Sequence, residues 1–175
     1  MSDAFFSLLE DINIDDIAVA IIPYQQPQKY FENEQHAYQY FQDNGGIDAY
    51  ILSITEVLKS NIGIKQVVGF SASAAVIFHI MSNLSINDIQ FTLFYPGQIR
   101  HFLNKYPSCT CHIIFPESES YFSVLGVMNE LKKQSSIKVE KNTYQHEFMN
   151  KDSKAFEQTA YNHHSQMLNV IITTK

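Results

Sequence analysis

Three side chains far apart in this sequence have the types, and the order along the chain, of a nucleophile, an acid and a base. Ser71 lies in Gly69-Phe70-Ser71-Ala72-Ser73, directly after a β-rich run and directly before a small-residue helical pattern. That is the layout of a sharp strand-to-helix turn that holds a serine hydroxyl above a sheet edge. A serine hydroxyl is weakly nucleophilic by itself. It needs a base within hydrogen-bond reach, and the base needs an acid to orient it. On such a sheet the chain order is Ser, acid, His. His146, in Tyr144-Gln145-His146-Glu147-Phe148, follows the last β-rich run and precedes the last helical one, so it fits the base. Pro116-Glu117-Ser118-Glu119-Ser120 supplies the acid, with Glu119 preferred over Glu117.

The chemistry of such a set is acyl transfer, and it requires backbone donors for the oxyanion. One is the N–H of Ala72, at the start of the helix after Ser71, where the helix dipole assists. The second is expected from Pro23-Tyr24-Gln25. Pro23 has no N–H, so Tyr24 or Gln25 must provide it.

The elements that must position these residues are legible as periodicity. Five β-rich runs stand out: Ile17–Tyr24, Ile64–Phe70, Ile89–Pro96, Cys109–Pro116 and Ile137–Tyr144. The first four are close to continuously apolar, as strands buried on both faces of a parallel sheet are. The fifth alternates apolar and polar residues, as an edge strand does. Helical patterns cover Asp48–Leu58, Ala72–Ser82, a short Gln98–Lys105, Ser123–Lys133 and Ala155–Val170. Gln25–Asn44 is polar and rich in Gln and aromatic residues, with a helix expected from about Tyr30 to Phe41, ended by Gly45-Gly46. Strands alternating with helices imply βαβ units and an α/β fold.

Length and composition set the frame. The 175 residues fit one domain spanning 1–175, and 45% hydrophobic with 17% charged residues is the balance of a globular chain. A net charge of −6 without any basic run argues against nucleic acid as a partner. The acidic N-terminus is unlike a signal peptide, and no run of about 18 apolar residues suggests a membrane span, so a cytoplasmic location is expected. Cys109 and Cys111 read as two core thiols; a Cys-x-Cys-His metal site at the same place lacks a second ligand cluster. His79 and His112 read as core or second-layer residues, and His163-His164 as surface residues of the last helix. No Gly-rich phosphate loop of standard spacing occurs, which disfavours a kinase or a dinucleotide enzyme.

Taken together, the chain resembles the dienelactone hydrolase family of α/β-hydrolases over roughly residues 48–172. Asp48-Ala49-Tyr50-Ile51-Leu52 looks like the family's helix before the elbow, and Ile64–Ala74 like its Gly-x-nucleophile-x-Gly turn. Phe94-Tyr95-Pro96-Gly97 is similar to its aromatic-Gly strand end. Phe115–Glu119 sits where the family has a Gly-x-x-Asp turn, and Tyr144–Phe148 is similar to its Tyr…His-x-Phe segment. The resemblance implies a triad of Ser71, Glu119 and His146, acting on small-molecule esters or lactones without metal or cofactor. It also implies a reduced α/β-hydrolase fold, with a mainly parallel sheet of about five strands and helices on both faces. The chain departs from the family in having Ser rather than the prototype's Cys as nucleophile, Ser73 for the elbow's last Gly, Glu for Asp and Pro116 for the acid turn's Gly. Two other readings of the same residues are a non-catalytic member of the fold that binds a small molecule or a protein, and a flavodoxin-like doubly wound binding domain with no triad.

Overall fold

Among the described residues, the apolar runs of the sequence form a four-stranded, all-parallel sheet flanked by helices. The computed structural model describes residues 3–12, 34–60, 63–83, 89–107 and 109–173. In chain order these hold α1 (Asp3–Asp11), α2 (Glu34–Asp43), α3 (Gly46–Ser60), β1 (Gln66–Phe70), α4 (Ser71–Met81), β2 (Gln90–Phe94), a 3-10 turn (Ile99–His101), β3 (Cys111–Phe115), α5 (Val124–Leu131), β4 (Ile137–Lys141) and α6 (Gln158–Thr173). The strands lie in the order β1-β2-β3-β4. Each neighbouring pair is parallel, in a register that sets Phe70 beside Phe94 and Phe94 beside Ile114. The expected first strand, Ile17–Tyr24, lies outside the described residues.

Strand alternation divides the core in two. Phe91, Leu93, Cys111, Ile113 and Phe115 point to one face, against Ile54 of α3, Ala74 to Met81 of α4 and Val124 to Leu131 of α5. Phe94 and Ile114 point to the other, against Leu8 of α1 and Ala160, Tyr161 and Leu168 of α6. Sequential parallel strands joined by right-handed crossovers carry all their connections on one face. The second face must then be closed by segments outside the crossovers, and α1 and α6 do so. β4 forms the sheet edge, in keeping with its alternating pattern.

Two loops depart from the sequence-based expectation. Gln98–Lys105 is not a helix; only the turn at Ile99–His101 forms, fixed by Ile99, which is fully buried. A segment of that length, hemmed in by Pro96-Gly97 and Pro107, cannot recover the cost of helix nucleation. The helix predicted from Tyr30 to Phe41 is described from Glu34 and runs to Asp43. It stops where expected: Gly45 has φ +94°, and a Cβ there would lie 2.6 Å from that of Ala49. Among the described residues no helix is long and apolar enough to cross a membrane.

Candidate active site

Parallel strands all end at the same edge of a sheet, and that edge is where open α/β sheets place their chemistry. Here Ser71 follows β1, Glu119 follows β3 and His146 follows β4. The chain therefore delivers the three residues to one rim although up to 75 positions separate them.

Ser71 is the first residue of α4, and its φ of 49° is in the left-handed region. A non-glycine residue is held there only when its surroundings fix it, at a cost of roughly 1–2 kcal/mol. Gly69 and Ser73 do the fixing. A Cβ on Gly69 would come within 2.8 Å of the Ala74 Cα and 2.7 Å of Ile77 Cδ1, so α4 can lie against the strand only because Gly69 has no side chain. Ser73 closes the turn. Its hydroxyl donates to the Phe70 carbonyl at 2.7 Å and accepts from the Phe70 N–H at 2.9 Å. One hydroxyl satisfies both backbone groups of the residue before Ser71, where a glycine could satisfy neither.

The three functional groups form a continuous chain. The Ser71 hydroxyl lies 3.0 Å from His146 Nε2. His146 Nδ1 lies 2.6 Å from Glu119 Oε1. A carboxylate only accepts, so Nδ1 carries the proton toward Glu119, and Nε2 is left to accept the Ser71 O–H. The Glu119 side chain is 10% exposed and that of His146 30%, so the carboxylate is sheltered while the imidazole remains open to solvent. Glu117, the competing carboxylate, points to solvent; its backbone N–H instead donates to the Tyr144 carbonyl at 2.7 Å, tying the acid loop to the base loop.

His146 is held from several sides. The Tyr95 ring lies 4.8 Å from the imidazole and also meets Phe70 and Phe148. Tyr95 has φ 38° and is 3% exposed. Burial, reinforced by the Glu147 charge, pushes its phenol far above the ordinary range, so it stays protonated. Phe148, fully buried two residues after His146, anchors that loop. Glu147 between them takes φ 67°, and its carboxylate accepts a hydrogen bond from the Ser153 hydroxyl at 2.9 Å. A Cβ on Gly97 would lie 3.6 Å from His146 Cε1, so the backbone after β2 packs against the imidazole edge.

Ala72 N–H lies in the first turn of α4, among the amides that lack an intrahelical acceptor. Tyr24 and Gln25, expected to complete the oxyanion site, lie outside the described residues. The roles of Tyr95, Gly97 and Ser73 were not legible in advance, because they depend on which backbone groups meet at the rim.

The remaining candidates lie elsewhere. Cys109 and Cys111 are free, buried thiols. His79 packs on Phe102, and His112 lies 3.2 Å from Glu140 at the β3–β4 edge. His164 corrects an expectation: it is 2% exposed rather than on the surface, and only His163 faces out. Ala160, Tyr161, Ser165 and Leu168 share its buried stripe on α6, at the three- and four-residue spacing of one helix face, and His163 falls outside that stripe. Among the described residues no group of three or more His, Cys, Asp or Glu could hold a metal ion. No protein-family model matches the chain, and no curated protein matches it.

Proposed function

We propose that the chain is a small serine hydrolase with a reduced α/β-hydrolase fold, resembling the dienelactone hydrolases, and that it cleaves carboxylic esters or lactones through an acyl-enzyme. The observation that carries this reading is the unbroken hydrogen-bond chain from Ser71 through His146 to Glu119. Its distances already suit proton transfer without rearrangement.

The steps use the chain's own groups and water. Ser71 Oγ attacks the carbonyl carbon while His146 Nε2 takes its proton. Glu119 stabilises the imidazolium that results and keeps the ring oriented. The Ala72 N–H, aided by the α4 dipole, faces the negative charge that develops on the carbonyl oxygen. Collapse of the tetrahedral species breaks the ester C–O bond, and His146 returns its proton to the leaving oxygen. In a lactone that oxygen stays tethered to the acyl group. Water then attacks the acyl-enzyme while His146 takes its proton; collapse breaks the bond between the acyl carbon and Ser71 Oγ, His146 returns the proton to Oγ, and the acid is released.

A fluorophosphonate probe tests this. The expected result is a single adduct on Ser71, found by mass spectrometry, that is absent in His146→Ala. A folded protein that takes no label at Ser71 overturns the proposal in favour of a non-catalytic binding role.

A further inference from the structure

α1 is a poor helix by itself and is held by its contacts. It has nine residues, fewer than the roughly 12–15 that let a helix stand alone in water. Its last turn carries Glu10 and Asp11 and no basic residue, and negative charge at that end opposes the helix dipole. Leu8 and Ile12, one turn apart, join the buried cluster that holds Tyr95 and Phe148. Asp11 ties α1 to the far end of the chain. Its Oδ2 accepts from the Tyr161 hydroxyl at 2.7 Å and from Lys151 Nζ at 2.9 Å, and its backbone carbonyl accepts from Asn169 Nδ2 at 3.3 Å. Lys151 Nζ also stands 4.5 Å from the centre of the Tyr161 ring, so carboxylate, ammonium and phenol close a triangle.

The triangle is fastened to the loop between β4 and α6, in which Lys151 follows His146. That loop is bonded to itself. The Asn150 N–H donates to the Glu147 carbonyl at 2.8 Å, the Ser153 N–H to the Asn150 carbonyl at 2.9 Å, and the Glu157 N–H to the Phe148 carbonyl at 3.1 Å. The Ser153 hydroxyl on the Glu147 carboxylate adds a further tie, and Glu147 is the residue next to His146. A loop braced in this way moves as one piece, so a shift at Lys151 is carried to the imidazole. The bonds of that imidazole, 3.0 Å to Ser71 and 2.6 Å to Glu119, tolerate little displacement. Docking of α1 does not by itself require Lys151, because Tyr161 and Asn169 of α6 already hold Asp11. Lys151 adds a link to the loop that carries the base. The Tyr161 hydrogen bond, and after it that of Lys151, holds the Asp11 carboxyl below its ordinary 3.8, so it stays charged at neutral pH.

We infer that Asp11 is a positioning residue for the base: through Lys151 and Tyr161 it clasps α1 to the loop that carries His146, and the base is fully in place only while α1 is docked. This rests on the hydrolase reading of Ser71, His146 and Glu119. Release of the clasp misplaces the base and leaves the groups that bind substrate as they were, so its loss falls on kcat and not on KM.

The test follows hydrolysis of 4-nitrophenyl butyrate and fluorophosphonate capture at Ser71 in wild type, Asp11→Asn, Lys151→Met, both together, and the charge swap of Asp11→Lys with Lys151→Asp. Lys133→Met, which breaks an ion pair outside the base loop, is the control. Each variant is first checked for native circular dichroism. Asp11→Asn and Lys151→Met should each lower kcat about 3- to 10-fold with KM unchanged within about 2-fold, and together no further than either alone, as two ends of one contact do. The charge swap should restore most of the loss, and Lys133→Met should match wild type. The Lys151 and Asp11 side chains are 33% and 46% exposed, so salt screens the pair. At about 1 M salt, capture in wild type should slow toward the Asp11→Asn rate while that variant changes little. Rates within about 2-fold of wild type in both single variants overturn the inference and leave the hydrolase reading standing. Additive losses that the swap does not restore overturn it too, since they mark general loosening. If wild-type Ser71 takes no label, the hydrolase reading falls separately. Hydrogen exchange then decides on the clasp: faster exchange from Phe148 to Glu157 in Asp11→Asn, with β2 and β3 unchanged, retains Asp11 as the residue that sets this loop, and unchanged exchange removes it.

Discussion

At the scale of single residues, the site depends on a hydroxyl that serves two backbone groups and a carboxylate that holds one imidazole. Ser73 both donates to and accepts from Phe70. Ser73→Ala leaves two backbone groups of Phe70 without these bonds, and stability should fall by about 1–3 kcal/mol in urea denaturation. The same variant should slow fluorophosphonate capture at Ser71, since the φ of 49° there is no longer enforced. In the proposed reaction Glu119 orients rather than reacts. Glu119→Gln keeps the side-chain shape but offers an amide where the imidazole needs a pure acceptor. It should lower kcat by roughly 100- to 10,000-fold while KM for a neutral ester stays near its original value. An equal fall from Glu117→Gln would move the acid to the wrong carboxylate, and the solvent-facing side chain at 117 predicts almost no effect.

At the scale of elements, the decisive contact is that of β1 with α4. Gly69→Ala puts a methyl group 2.8 Å from the Ala74 Cα. Backbone cannot yield as a flexible side chain can, so the helix must shift. The expected loss is about 1–3 kcal/mol, with Ser71 displaced from His146 and labelling reduced together with stability. If stability falls and labelling does not, the elbow is held by Ser73 alone. This contact also explains what the sequence made legible. Gly69, Ser71 and the small residues after them are local features, and a local pattern suffices to read a strand-to-helix turn. The four described strands were legible for the same reason, since continuous apolar runs such as Ile89–Pro96 need a sheet covered on both faces. Glu119 and His146 were legible because parallel strands deliver every following loop to one rim. The part that was not legible depends on contacts between loops. Whether Gln98–Lys105 coils as a helix is decided by the prolines that flank it and by the anchoring of Ile99 in the core, not by its apolar spacing. The place of Arg100 beside Tyr121 and Phe122 is set by the meeting of the β2 and β3 loops.

At the scale of the whole molecule, the two faces of the sheet differ in how they tolerate acid. The face against α3, α4 and α5 is apolar throughout its buried set. The face against α6 encloses His164, which lies against Phe94 and Phe148 with no hydrogen-bond partner for Nδ1. Burial, and then the neighbouring His163, pull its pKa down to about 4, and the Glu140 charge offsets this only in part. In the unfolded chain the same imidazole takes up a proton below its ordinary value of 6.5. The unfolded state therefore binds the extra proton first. Stability is complete above about pH 6.5, falls as pH drops toward 4, and loses no more to this group below that, for a total of about 3 kcal/mol. His112, across the same face beside Glu140, is shifted downward too, again by burial, and adds to the slope in the same direction. His164→Leu removes the titrating group and the unpaired nitrogen together. Urea denaturation at pH 7 and pH 4.5 should then show a smaller difference between the two values than in wild type, with stability at pH 7 held or raised. Because Phe148 touches both His164 and Tyr95, and Tyr95 lies on His146, protonation of His164 should disturb the base from beneath. The fluorophosphonate rate should therefore decline in step with local loosening around Phe148 as pH falls. If that rate has the same pH profile in His164→Leu as in wild type, protonation of His164 does not reach His146 and the aromatic stack between them carries no coupling.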